Sequence, residues 1–289
     1  MSSAALDLRV SAGAVSQQIR KLEGILGIAL VERRGRSVEL TAWGKLYLGE
    51  IAPAFAQIRQ AQDVVARAKA GAGLVVSCLP SVASRWLGRH IFDWQVAHPD
   101  AHVRLVGTET EPRLGADGTD FRLSYGDQAR AFEHRIELFT DWVVPVCSPA
   151  LAQRIDQPAD LLRLPLLTID WDPEHRAPPG WAVWAALVGV PFRAAPTHLV
   201  FSLSSAAIDA AVEGRGCVMA QVALITDELA SGRLVAPFDR RLTLPEPYFL
   251  AWERDALQKP FAREFRAWAV ALGKRQALLS RRGEAARGL

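Results

Sequence analysis

Ser11-Ala-Gly-Ala-Val-Ser-Gln-Gln-Ile-Arg-Lys-Leu-Glu23 reads as a capped helix with two unlike faces. Ser11 is an N-cap, because its hydroxyl can accept from an amide two or three residues on that has no partner within the helix. Val15, Ile19, Leu22 and Leu26 recur at helical spacing and form one apolar stripe. Ser16, Gln17, Gln18 and Arg20 lie elsewhere, a set of hydroxyl, amide and guanidinium groups of the kind that bonds base edges and phosphates in a major groove. Upstream, Ala4, Ala5 and Leu8 fit a short preceding helix, with Arg9-Val10 as the turn. Helix, short turn and capped polar helix make a helix-turn-helix pattern. On periodicity alone a solvated amphipathic pair would be the commoner outcome.

Downstream, Arg33-Arg34-Gly35-Arg36 places three arginines on a tight turn, which suits a narrow, negative minor groove, although such a run by itself is more often a solvated turn. Residues 44–70 then read as one long helix. Its apolar positions Leu48, Ile51, Phe55, Ile58, Ala61, Val65 and Ala68 form a heptad-like stripe, interrupted at Pro53 and closed by Gly71-Ala72-Gly73 as a hinge. The charge distribution points the same way. Residues 1–70 carry ten Lys/Arg against six Asp/Glu, leaving 24 against 25 for the rest of a chain whose net charge is +3. The positive excess sits where a nucleic-acid module would be.

After the hinge the pattern changes. Strand-like runs at 74–79, 102–108, 121–125, 136–147, 165–170, 197–201, 216–220 and 247–252 alternate with helical stretches near 83–97, 149–154, 180–189, 204–213, 221–230 and 258–276. That alternation predicts α/β architecture with mostly parallel sheets. The tail from 274 has no place in the pattern and is expected to be frayed. No apolar run approaches the length of a membrane helix, and the N-terminus lacks the make-up of a signal peptide, so the expected location is the cytoplasm.

The stretch AALDLRVSAGAVSQQIRKLEGILGIALVERRGRSVELTAWG (4–44) resembles the winged helix-turn-helix of LysR-type transcriptional regulators. The resemblance rests on Ala4-Ala5, Leu8, Val10-Ser11, Ala14-Val15-Ser16, Ile19, Leu22-Glu23, Leu26-Gly27, Leu30, Glu32-Arg33, Arg36, Leu40-Thr41 and Gly44. It implies that Ser11–Glu23 is the recognition helix and the arginine run the wing. DNA contacts are then expected from Ser11, Ser16, Gln17, Gln18, Arg20, Arg33, Arg34 and Arg36. Two departures stand out. Ala12, where the family often has glutamine, can offer only a methyl contact, so base reading leans on Ser16, Gln17 and Arg20. The family's first helix has no counterpart in residues 1–10, for which the expectation is a misassigned start.

Residues 74–273 resemble the family's effector domain, itself similar to type II periplasmic binding proteins, through LVVSCLPSVASRWLGRHIFDWQVAHPDAHVRL, DFRLSYGD, AAVEGRGCVMAQVAL, ELASGRLVAPF and FAREFRAWA. Their flavour is that of the branch containing the glycine-cleavage activator and the β-lactamase regulators. The resemblance implies a DNA-binding domain over 1–43, a linker and dimerisation helix with hinge over 44–73, and an effector domain over 74–273, followed by a basic, disordered tail over 274–289. Within the effector domain it implies two Rossmann-like subdomains, one of 74–145 with 253–273 and one of 146–252, joined by chain crossings near 144–147 and 250–253. The implied partners are promoter DNA, a small-molecule effector, further copies of the chain as dimer or tetramer, and RNA polymerase, with no membrane and no cofactor.

The cleft can also be read physically. Helix starts after strand ends present free amides and a positive dipole end, and ligands of open α/β sheets gather there. Ser81 and Val82 follow the first strand, with Ser84 close by. Thr108 ends the second strand, Tyr125 another, and Ser202 and Ser204 precede a helix. Ser81, Val82, Thr108, Tyr125, Ser202 and Ser204 are the candidate effector shell. Each serine alone is more often a simple cap. Two such helix starts favour an anionic or zwitterionic ligand.

Catalytic constellations are missing from the sequence: no G-x-S-x-G, no phosphate-binding G-x-x-x-x-G-K, no H-E-x-x-H and no C-x-x-C. Asp170, Asp172, Glu174 and His175 cluster in WDPEHR, which reads as a polar loop before it reads as a metal or acid–base site. Cys78, Cys147 and Cys217 lie far apart in apolar runs and read as reduced, buried strand thiols, and their spacing does not support a redox pair. The expectation is therefore a regulator with neither catalytic nor metal-binding residues. The alternative is a stand-alone small-molecule binding protein with a non-functional DNA-binding remnant.

Overall fold

The computed structural model describes residues 2–7, 10–34, 37–69, 73–171, 177–193 and 200–285. The chain divides into two compact units, Met1–Ala70 and Gly71–Leu289.

The first unit contains α1 (Ser2–Asp7), α2 (Ala12–Leu26), the hairpin β1 (Val31–Arg34) and β2 (Ser37–Leu40), and α3 (Ala42–Lys69). Ser11 caps α2 as its position requires, its Oγ accepting from the Ala14 amide at 3.1 Å. Gly27 ends the helix in the left-handed region at φ 69°, its amide donating to the Glu23 carbonyl. The Glu23 carboxylate accepts from the amides of Leu30 (2.7 Å) and Val31 (3.1 Å), which ties the end of α2 to the start of β1. Thr41 Oγ1 donates to the Ala29 carbonyl and accepts from the Gly44 amide, capping α3. A Cβ at Gly44 would stand 2.0 Å from the Leu30 carbonyl oxygen, so this crossing admits only glycine. Helix α3 runs on through Pro53, and the interruption expected there does not end it. Trp43, Leu46, Leu48, Phe55 and Ile58 of α3 are exposed.

The second unit runs through β3 (Leu74–Cys78), α4 (Pro80–Val82), a π turn (Ala83–Leu87), α5 (Gly88–Ala97), β4 (Val103–Gly107), β5 (Phe121–Tyr125), β6 (His134–Phe139) and β7 (Trp142–Val146). It continues through α6 (Pro149–Ala152), α7 (Pro158–Leu161), β8 (Leu166–Ile169), α8 (Trp181–Leu187), β9 (Val200–Phe201), α9 (Ser204–Val212), β10 (Cys217–Gln221), α10 (Val222–Ala230), β11 (Leu242–Thr243), β12 (Tyr248–Trp252) and α11 (Ala262–Ala285). Two five-stranded sheets result, ordered β4-β3-β5-β12-β6 and β11-β7-β10-β8-β9. Buried side chains of both sheets and their helices, Trp86, Trp94, Phe121 and Phe265 around the first and Trp184, Ile208 and Val218 around the second, fill the interior.

Three expectations need correction. The run 136–147 is not one strand: β6 belongs to the first sheet and β7 to the second, so the chain crosses at residues 140–141 rather than 144–147. It returns at 244–247 rather than 250–253, because β12 pairs with β5 and β6. The sheets are mixed rather than mostly parallel. Each crossing delivers its strand from the other subdomain against the direction of its neighbours, so β12 is antiparallel to β5 and β6, and β7 to β10 and β11. Finally, residues 274–285 continue α11, with Gln276 and Ser280 buried. The tail is held there by polar bonds that no apolar periodicity reveals. Residues 286–289, like the expected hinge residues Gly71 and Ala72, lie outside the described residues.

Candidate ligand cleft and nucleic-acid interface

Between the two sheets of the second unit lies a cavity of 370 Å³. The first subdomain contributes Leu79, Ser81 and Val82 from the end of β3 and the helix start after it, Glu109 from the loop after β4, and Tyr248 from β12. The second contributes Ile169 at the end of β8 with Asp170 and Trp171 after it, Ser202 and Ser204 at the start of α9, and Gln221 with Leu224 at the start of α10. Strand ends and helix starts meet here from both sides, as expected for an open α/β architecture.

Ser81, Val82, Ser202 and Ser204 of the expected shell line this cavity. Thr108 and Tyr125 do not. The Thr108 carbonyl accepts from the buried Arg122 guanidinium, which also grips Glu111 (2.7 and 3.0 Å) and so braces the loop that carries Glu109. The Tyr125 ring packs behind Tyr248, centroids 5.1 Å apart, leaving Tyr248 at the wall. Glu109, Asp170, Trp171, Gln221 and Tyr248 were not among the expected shell, because their approach depends on which strands lie side by side. For Asp170 a signal existed, in that it directly follows a strand.

Two sets of bonds span the cleft. The Ser81 hydroxyl accepts from the Ser205 amide at 3.0 Å and meets its hydroxyl at 3.4 Å, so the start of α9 is capped from the opposite subdomain. The Tyr248 hydroxyl donates to Gln221 Oε1 at 2.8 Å. Burial holds the Tyr248 phenol well above its ordinary range, with the Asp141 carboxyl adding to the shift. Beside the cavity, Arg85 in the π turn bonds Glu228 of α10 at 3.1 Å and also Asp209 of α9. Arg89 adds bonds to Glu228 and Asp227, each with an approach of 2.7 Å, and Arg233 bonds Glu228 at 3.0 Å. Burial raises the Glu228 carboxyl, but the arginine bonds outweigh it and hold the group below its usual range.

At the crossing, fully buried Asp141 accepts from the Ala223 amide at 2.9 Å and from the Ser280 hydroxyl at 2.7 Å. Gln276 bonds Ser280 and accepts from the Trp86 indole. Burial pushes the Asp141 carboxyl up to about 6 against these donors. Among the described residues no group of three or more His, Cys, Asp and Glu could hold a metal ion, and Asp172, Glu174 and His175 lie outside them.

In the first unit α2 has no buried residue. Gln17, Gln18 and Arg20 are exposed and Ser16 half-buried, on a helix whose apolar Val15, Ile19 and Leu22 are half-buried. Arg20 Nε lies 3.4 Å from the Ser16 carbonyl. Ser11 is engaged as cap. Arg33 is exposed on β1, and Arg34 follows it in the ladder opposite Ser37, whereas Arg36 lies outside the described residues.

Known proteins carry the same two parts. Residues 69–273 match the LysR substrate binding domain and residues 1–45 the bacterial regulatory helix-turn-helix of the lysR family. The glycine cleavage system transcriptional activator of Escherichia coli K12 is 30% identical over 93% of this chain and 87% of its own length. The transcriptional activator AmpR of Citrobacter koseri is 31% identical over 92% and 90%. Among solved structures, the effector domain of AmpR from Pseudomonas aeruginosa superposes with a TM-score of 0.58 at 26% identity, over 71% of this chain and 96% of that one. CrgA from Neisseria meningitidis shares the fold, with a TM-score of 0.56 at 21% identity over 93% and 92%. With its winged helix-turn-helix and two-sheet effector domain, the chain belongs to the LysR family of transcriptional regulators.

Proposed function

We propose that this regulator reads promoter DNA through α2 and the β1–β2 wing and responds to a small zwitterion bound between the two sheets. The observation that carries the ligand class is the make-up of the 370 Å³ cavity. Glu109 and Asp170 supply two carboxylates, Ser81, Ser202 and Ser204 supply hydroxyls beside helix starts, and no Lys, Arg or His is among the described lining residues. A purely anionic ligand would meet like charge on two lining carboxylates. A zwitterion places its ammonium at Glu109 and Asp170 and its acid group at the Ser81, Ser202 and Ser204 hydroxyls beside the starts of α4 and α9. Binding on both sides of the cleft favours the closed arrangement by the difference in affinity for the two states. The exposed apolar residues of α3 fit pairing with a second copy, which would present two reading helices to one DNA.

Thermal shift of the full chain against matched panels of small amino acids, monocarboxylates and primary amines tests the ligand reading. Amino acids should raise the melting temperature, and Asp170→Asn and Glu109→Gln should each remove most of that gain. Monocarboxylates acting as well as amino acids would overturn it. Fluorescence anisotropy with the adjoining intergenic DNA and a scrambled control tests the DNA reading. Equal affinity for both would overturn sequence-specific binding.

A further inference from the structure

Cys147 and Cys217 are seventy positions apart in the sequence, yet the register of β7 against β10 sets them directly opposite: Val146 faces Val218, and one step further Cys147 faces Cys217. The hydrogen bonds show what kind of pair this is. Both the amide and the carbonyl of Cys147 are turned to Val235, on the far side of β7. The amide of Cys217 is turned to the Pro165 carbonyl, on the far side of β10. Neither backbone points at the other cysteine, so the two form a non-hydrogen-bonded antiparallel pair, the closer of the two cross-strand spacings, with Cα atoms roughly 4.5 Å apart. That falls inside the Cα range a disulfide spans, and directly opposed side chains share one face of the sheet. Both cysteines are free and buried.

We propose that Cys147 and Cys217 are a reversible thiol-oxidation site that closes to an intramolecular disulfide under a peroxide oxidant. The thiolate of one cysteine attacks the peroxide O–O bond, giving a sulfenic acid and hydroxide. The sulfur of the other then displaces that oxygen, forming the S–S bond and releasing water once its proton is transferred. In balance, two thiols and one hydrogen peroxide give one disulfide and two waters. Cys217 begins β10 and Cys147 directly follows β7, so both lie at strand ends, where local opening admits a water-sized oxidant. Cys78, on β3 in the other sheet, is an internal control, since burial pushes its thiol up to about 12 and the register sets no second cysteine opposite it. The pair shares a sheet face with the ligand cleft. Cys217, Met219 and Gln221 alternate onto one face of β10, and Gln221 lines the cavity.

The test uses the reduced full-length chain, treated with hydrogen peroxide or with diamide, then denatured, alkylated and mapped by tryptic mass spectrometry. The expected result is loss of two of three alkylatable thiols, a crosslink between the peptides spanning 136–154 and 216–233, an intact mass lower by two hydrogens, a raised Tm, and full reversal by dithiothreitol. Cys147→Ser and Cys217→Ser should each abolish the crosslink, and Cys78→Ser should leave it intact. Three thiols still alkylated after both oxidants, or a bridge that involves Cys78 or a second chain, would overturn the proposal. Circular dichroism of each variant separates loss of the bridge from loss of the fold.

Discussion

The two units solve opposite problems. In the first, the groups proposed to contact DNA lie on one helix and one hairpin, and that helix buries no residue. In the second, the groups proposed to meet the ligand come from strand ends widely separated in the chain, and the bonds between them are buried or part-buried. The difference teaches where each activity is vulnerable. A surface reader loses specificity when one side chain is trimmed and keeps its fold, whereas a buried cleft loses its architecture when one polar partner is removed.

The sharpest way to break this contrast is Glu228→Ala. It leaves Arg85 and Arg89 each with one of their two carboxylates, Asp209 and Asp227, and takes the Glu228 partner from Arg233. Removing one partner of a buried pair typically costs about 3–5 kcal/mol, and the cost here falls near the low end because Arg85 retains Asp209. Urea denaturation followed by tryptophan fluorescence should show it. A loss as small as that of a surface pair would place the network outside the bonds that hold the cleft.

Acid titration gives the next effect. The Asp141 carboxyl titrates near 6 in the folded chain and near 4 when unfolded, so the folded state keeps a proton that the unfolded state has released. Its contribution to stability is therefore fully present below the unfolded value and is lost as pH rises from about 4 to about 6, a decline of roughly 3 kcal/mol. Glu228, held below its usual range, acts with the opposite sign, giving stability at neutral pH that is lost as pH falls through the folded value. Asp141→Asn should remove the decline and stabilise the chain above pH 6. An unchanged pH profile in denaturant melts would show that Asp141 does not carry it.

In the first unit, Ser16→Ala and Gln17→Ala should reduce discrimination between operator and random DNA by about 1–3 kcal/mol while sparing non-specific affinity and melting temperature. Equal losses on both DNAs would reassign these residues to backbone contacts. The smallest effect is expected from Arg33→Ala. If Arg33 neutralises one phosphate, the log–log salt dependence of binding becomes shallower by about 0.9, and an unchanged slope would take this wing residue out of the interface.

The same contrast governs what could be read in advance. The Ser11 cap was legible because its reason is local, an amide three residues on. The run IELFTDWVVPVC (136–147) was misread as one strand, although Asp141 in its middle was a signal: a charged group amid apolar β-formers marks a break or a buried partner. Its partners are an amide at the start of α10 and a hydroxyl near the end of α11, and neither can be inferred from the run itself. Thr108 and Tyr125 were placed in the ligand shell because they end strands, but position along a strand does not say which side of the sheet faces the cleft.

By itself, then, the sequence determined the helix-turn-helix, the wing, the long linker helix, the alternation of strands and helices and the serine-bearing helix starts. Each of these follows from periodicity, capping or turn chemistry acting over a few residues. Only the tertiary structure decided where the chain changes sheets, that residues 274–285 lock onto the crossing through Ser280 and Asp141, that two carboxylates face the cavity, and that Cys147 stands opposite Cys217. Strand neighbours are chosen by the burial of whole faces against one another, and that choice depends on segments tens to more than a hundred residues apart, beyond the reach of any local pattern.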